Sequence, residues 1–400
     1  MRPEVYAHPV SFRRDAAGQA ARLADAGVSG VRLAHAYHSG RWLLSSSDPA
    51  AVADLDAGLW FTTAPAAPTG AGPATPAPLW PATVAALADT ATAALTARGV
   101  EVTAWLVGLH QSALATARPD LALRNAFDHP YRHALCPAQG EVVDYAAALA
   151  GRAAAAPGVT GLDLEAFSWL GWAHQGAHDK TGVPLRPVDR WLLSLCHCPA
   201  CAAAYTAAGV DPAELAGRVR ATVRAQLDRP RPAAPEIATD AAEALGAQLR
   251  DAVQAVRARL LRRLVGAAVA AADGTGVQLR ATADPYATDG KAGGDLAALA
   301  AVAGGLTVTH LGGDLAALTA DLAAARPHAR TLTAGWNGAG TPAEARAAIA
   351  AARHAGADSI ALYAYDLMPA DRLDLLRDVH APPARPPAPP ARRRAEVAAR

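Results

Sequence analysis

Gly161-Leu162-Asp163-Leu164-Glu165 is a short apolar run that carries a carboxylate at every second residue. Residues two apart on an extended strand share a face, so Asp163 and Glu165 point one way while Leu162 and Leu164 point the other. Seven further runs of this size punctuate the chain: Val5-Tyr6-Ala7-His8, Gly30 to Tyr37, Glu101 to Val107, Val277 to Ala283, Leu306 to His310, Thr331 to Trp336 and Ser359 to Tyr365. Most close on, or just before, a His, Trp, Asp, Glu or Tyr. Between them lie alanine-rich stretches of helical character: Asp15 to Ala26, Thr83 to Arg98, Glu141 to Ala155, Ala241 to Ala272, Leu296 to Ala303, Leu315 to Ala325, Pro342 to Ala355 and Arg372 to Val379. Alanine is the best helix former, and Thr341-Pro342-Ala343-Glu344 adds an N-cap, an N1 proline and a capping glutamate. A strand-helix unit repeated eight times predicts an α/β chain folded as a (β/α)8 TIM barrel. Its chemistry then belongs at the C-terminal strand ends, where the polar residues gather.

With 400 residues, 52% hydrophobic content and a formal charge of +1, the chain can bury a large core and carries no electrostatic footprint for nucleic acid or an anionic membrane. The opening Met1-Arg2-Pro3-Glu4-Val5 lacks the apolar segment of a signal peptide, and no later run approaches the roughly 18 uncharged residues of a membrane span. A cytoplasmic location is expected; the oligomeric state is left open. One barrel domain is expected over residues 1–380, with a long insertion after strand 4 at about 166–275. That insertion should wall the active face and contribute helices at Asp189 to Leu195 and Pro212 to Leu227. Pro65 to Pro81 reads as a long loop after the second strand, and Arg229 to Pro235 as a proline linker. The Pro- and Arg-rich tail, 381–400, cannot build a core and is expected to be disordered.

Acids aimed into a packed barrel are costly unless they serve a purpose, and near the mouth the usual purpose is catalysis. Glu165 is the strongest catalytic candidate, with Asp163 or Asp284 as its partner. Around it the sequence places Trp169, Trp172, His174, His178, Asp179 and Lys180, and on the same face Tyr37, Trp105, Trp336, Tyr363 and Tyr365. Aromatic faces beside acids suit a sugar, whose C–H faces stack on rings while its hydroxyls seek polar partners. His8, His35, His310, Asn337 and Asp366 complete the expected substrate-binding set. The tight His-x-His of a metal-dependent hydrolase barrel is missing after the first strand, so the histidines are read as hydroxyl partners and no cofactor is required for catalysis. Glycoside cleavage needs two carboxyl groups. The seventh strand, ending in Trp336-Asn337, offers none.

Leu135-Cys136-Pro137, Gly161 to Glu165 and Leu195-Cys196-His197-Cys198-Pro199-Ala200-Cys201, followed by Ala208-Gly209-Val210-Asp211, give the chain a resemblance to uncharacterised bacterial glycoside hydrolase-like barrels over roughly residues 1–380. The resemblance implies a carbohydrate-active site around Glu165. Two other readings stand beside a glycosidase: a non-catalytic carbohydrate-binding barrel, and a phosphosugar isomerase or aldolase with phosphate near Gly338 to Thr341. Lys291 and Lys180 are the few lysines near strand-end loops that could serve Schiff-base chemistry.

Cys136, Cys196, Cys198 and Cys201 are the only cysteines. Four thiols suit a structural zinc, and the gap between Cys198 and Cys201 fits a zinc knuckle. The one-residue gap between Cys196 and Cys198 is expected to aim those side chains apart, which favours buried free thiols instead.

Overall fold

The computed structural model describes residues 1–62, 79–172, 180–232, 237–377 and 379. Eight strands form the barrel: β1 (Arg2–Ala7), β2 (Gly30–Tyr37), β3 (Glu101–Val107), β4 (Val159–Glu165), β5 (Gly276–Thr282), β6 (Gly304–His310), β7 (Thr331–Asn337) and β8 (Ser359–Tyr363). All neighbours pair in parallel, and β1 pairs with both β2 and β8, which closes the sheet. This is the expected (β/α)8 barrel. The expected runs lie on these strands, with ends displaced by up to three residues.

Alternation along the strands sorts the side chains into two shells. Leu162 and Leu164 are fully buried among the core residues, while Asp163 bonds to Tyr6 of β1 and Thr307 of β6 across the barrel. The inward residues of the barrel floor are polar: Glu4, Arg32, Asp163, Gln278, Thr307, Thr333 and Ser359 join one hydrogen-bonded network. Polar groups removed from water must find partners, and here they find one another.

The outer helices bury small apolar side chains. Gly140–Ala154 covers Val142, Ala146, Leu149, Ala150 and Ala153, and packs against the 25-residue helix Ala247–Ala271. The expected helix from Ala241 to Ala272 is two helices, Ile237–Leu245 and Ala247–Ala271, because Gly246 between them takes a left-handed φ of 81°. The expected insertion helices are present as Pro187–Leu193 and Pro212–Asp228. Sequence reasoning missed a third, Pro199–Thr206, and two antiparallel hairpins, Gly40–Leu43 with Val52–Leu55 and Ala122–Arg124 with Pro130–Leu135. Among the described residues, no helix is long and apolar enough to cross a membrane. Most of the Pro65 to Pro81 loop, part of the Arg229 to Pro235 linker, His174, His178, Asp179 and the tail lie outside the described residues.

Candidate active site

Glu165 ends β4 at the C-terminal face, and its side chain keeps 28% of its surface exposed. Its Oε2 accepts a hydrogen bond from the Trp105 indole N–H at 2.5 Å and pairs with Arg280 Nη1 at 2.8 Å. Both donors stand on neighbouring strands, β3 and β5, so the barrel itself sets this geometry. They take the same oxygen, and among the described residues Oε1 has no partner. The residue lines a cleft of about 370 Å³ together with Arg280, Asp289, Lys291, Thr309, His310 and Asp314.

Asp163 lies one layer below and has no exposed surface. Arg32 approaches its Oδ1 at 3.2 Å and Arg280 its Oδ2 at 3.5 Å, and the hydroxyls of Tyr6 and Thr307 donate at 2.8 and 3.0 Å. Burial alone would raise its pKa, but the two guanidiniums and these hydrogen bonds outweigh burial and hold the carboxyl below the usual carboxylate range. Asp163 is thus an internal counter-ion, shielded from the cleft. Arg280 links the two levels: its guanidinium lies 4.5 Å from the Tyr6 ring centre and 5.1 Å from that of Trp105. The same alternation that singled out Asp163 and Glu165 could have found Arg280, since Gln278, Arg280 and Thr282 occupy every second position of β5.

Asp284 does not line this cleft. It is exposed, and its carboxylate accepts the Tyr286 N–H at 2.9 Å, shaping its own loop. The acids that share the cleft with Glu165 are Asp289 and Asp314. Asp289 pairs with Lys291 Nζ at 3.2 Å, and Asp314 caps the helix Leu315–Ala325. Neither closes a strand, so a search for acids at strand ends passes over them.

The aromatic residues are mostly walls rather than open platforms. Tyr37, Trp105 and Trp336 are buried, and Trp105 meets Tyr37, Tyr6 and Tyr363 edge-on with ring centres 5.0 to 5.8 Å apart. Tyr37 and Tyr363 join through their hydroxyls at 3.2 Å. Tyr365 is buried and bonds to Gln19. Trp336 neighbours His310 across the β6–β7 pairing. His310, also at the cleft, contacts Asp321 of the outer helix at 3.1 Å.

Three of the expected substrate contacts serve the fold instead. His35 is buried, bonded to the Leu33 carbonyl at 2.9 Å and packed on Phe61; Arg32 of the same strand points into the barrel, so strand alternation turns His35, three residues on, outward. Asp366 is fully buried and receives the backbone N–H groups of Ser46 and Ser47, pinning the loop after the Gly40–Leu43 strand. Asn337 bonds the Leu311 carbonyl and the Ala339 N–H, so both ends of its amide are spent locally. His8 lies beneath the rings of Tyr37, Trp42 and Trp60 with no exposed surface. Its Nδ1 accepts the Val10 N–H, while Nε2 is buried without a partner among the described residues. The phosphate position expected near Gly338 to Thr341 is filled by the chain itself, because Glu344 accepts the Thr341 N–H at 2.7 Å at the helix N-terminus.

No protein-family model matches the sequence, and no curated protein matches it either. The fold is similar to solved structures. The glycoside hydrolase domain of PgaB (BpsB) from Bordetella bronchiseptica is 15% identical with a TM-score of 0.56, the match covering 95% of this chain and 98% of that one. The catalytic domain of a β-amylase from Paenibacillus polymyxa is 11% identical with a TM-score of 0.55, covering 94% and 98%. An α-L-fucosidase from Paenibacillus thiaminolyticus is 13% identical with a TM-score of 0.55, and the match spans about half of its length. These likenesses establish the fold, a closed eight-stranded parallel barrel of the kind found in those glycoside hydrolases.

Proposed function

We propose that this chain is a glycosidase in which Glu165 is the general acid/base. The reading rests on one observation: a carboxylate at the barrel mouth whose Oε2 is fixed by Arg280 and Trp105, whose Oε1 has no partner among the described residues, and which shares a cleft with further acids. Glycosidic hydrolysis requires a proton delivered to the leaving oxygen and a second carboxylate that attacks the anomeric carbon or activates water. Oε1 of Glu165 is placed for the first task. Asp289, half exposed in the same cleft, is the carboxylate we assign to the second, in place of Asp163 and Asp284. Thr309, Lys291 and His310 are the polar partners available to sugar hydroxyls there. The similarity of the fold to glycoside hydrolases supports the class of substrate.

A carbohydrate-binding barrel without turnover is the second reading. What favours it is that the two carboxylates assigned to catalysis each already have a cation, Arg280 for Glu165 and Lys291 for Asp289. The purified protein would be screened against aryl glycosides and oligosaccharides, with Glu165→Gln and Asp289→Asn alongside on any hit. Turnover lost in both variants, with sugar binding retained, supports the glycosidase. Sugar binding by calorimetry with no turnover on any substrate selects the binding barrel.

A further inference from the structure

Cys136 follows the strand Pro130–Leu135 in the crossover after β3, whereas Cys196, Cys198 and Cys201 belong to the insertion after β4. Folding brings all four together, each ligand sulfur within 4.8 Å of the others. Cys136 Sγ is 3.5 Å from that of Cys201 and 3.6 Å from that of Cys198. A disulfide needs about 2.05 Å, so these are not bonded pairs. Four sulfurs each about 2.3 Å from one central ion would stand about 3.8 Å apart at the corners of a tetrahedron, close to the spacing seen. All four side chains are buried.

We propose that Cys136, Cys196, Cys198 and Cys201 form a structural zinc site that fastens the β3 loop to the β4 insertion. The one-residue gap that argued against it is no obstacle. The Cys196 and Cys198 sulfurs lie within 4.8 Å of each other despite it. Cys201 then falls in the first turn of helix Pro199–Thr206, back towards the same point. Binding releases four thiol protons and leaves a cluster of net charge −2 around the divalent ion.

Two features of the surroundings suit such an anion. The Arg124 N–H donates to Cys196 Sγ at 3.4 Å, and Gln139 Nε2 to Cys198 Sγ at 3.7 Å, the outer bonds that steady metal-bound sulfur. Arg257 is 3% exposed and, among the described residues, has no carboxylate within ion-pair distance; it lies in the electrostatic range of Cys136, Cys196 and Cys201 and over the Trp169 ring at 4.4 Å. A buried guanidinium without an acid is costly. An anionic zinc-thiolate cluster would supply its counter-charge.

Among the described residues, none of the four cysteines lines the Glu165 cleft, so the test of the site is independent of catalysis. The full chain, purified without chelator or metal-affinity resin, would be assayed by plasma mass spectrometry, with about one zinc per chain expected. Cobalt(II) exchanged for it should show sulfur-to-metal charge transfer in the near ultraviolet and intense d–d bands of a tetrahedral thiolate site. Cys136→Ser and Cys198→Ser should each lose the metal. If these variants do not fold, the metal content and cobalt spectrum of the unaltered chain still decide the matter. A metal-free chain with four titratable thiols, iron in place of zinc, or a disulfide found by peptide mapping would each overturn the assignment.

Discussion

Asp163 and Glu165 stand two residues apart on one strand, face the same lumen and both touch Arg280, yet they live under opposite rules. Asp163 has two hydroxyl donors and two guanidiniums around its two oxygens and no exposed surface. Among the described residues Glu165 has its two partners, the Trp105 indole and Arg280, on one oxygen, and it opens onto a cleft. A saturated buried carboxylate contributes to holding the barrel; a half-satisfied one at the rim has bonding capacity left for a substrate. One pleat along a strand separates a strut from a reactive group.

The comparison breaks most forcibly at the strut. Asp163→Asn removes the charge that faces Arg32 and Arg280 in the interior, and should destabilise the fold by roughly 3–5 kcal/mol, read as a fall in the urea midpoint. An unchanged midpoint with turnover abolished would exchange the roles of the two acids. The same substitution one pleat higher, Glu165→Gln, should leave the midpoint nearly unaltered while lowering kcat by about 10²–10⁴ on any substrate that the screen finds. Trp105→Phe keeps the ring and deletes the bond to Glu165 Oε2. A hydrogen bond to a charged group is worth about 1.5–3 kcal/mol, so kcat should fall roughly ten- to a hundredfold with little change in KM; a KM effect alone would make Trp105 a binding wall.

The smallest effect concerns pH. Burial, with His38 nearby, holds the His8 imidazole down at about 3, and burial holds His35 at about 4. Both are neutral in the fold, whereas the unfolded chain takes up protons at about pH 6.5. Below that value the unfolded state binds more protons, so stability declines as pH falls from about 6.5 towards the folded pKa values. The Asp163 contribution is full above about pH 4 and is lost only below it, as pH falls through its lowered folded pKa. His8→Gln should flatten part of the decline between pH 6.5 and 4 in urea titrations, at a cost of about 1 kcal/mol at neutral pH from lost packing. An identical slope in the variant would assign the decline to other groups.

Eight alternating runs and their alanine-rich partners sufficed to read the barrel, because strand and helix periodicities are local properties of the chain. Glu165 was legible for the same reason: strand alternation aims it inward, and its position in the run puts it at the mouth. What periodicity cannot supply is the company a side chain keeps. Asp366, His35 and Asn337 sit at or near strand ends as Glu165 does, but loop anchoring, a bond to the strand's own backbone and a tight turn engage their polar atoms. Asp289 and Asp314 went unread because loop geometry places them in the cleft. The four cysteines show the division most plainly. Their number and spacing raised the question of a metal, but only tertiary structure could bring Cys136 to the other three, since that meeting depends on how two separate crossovers pack and not on any local rule.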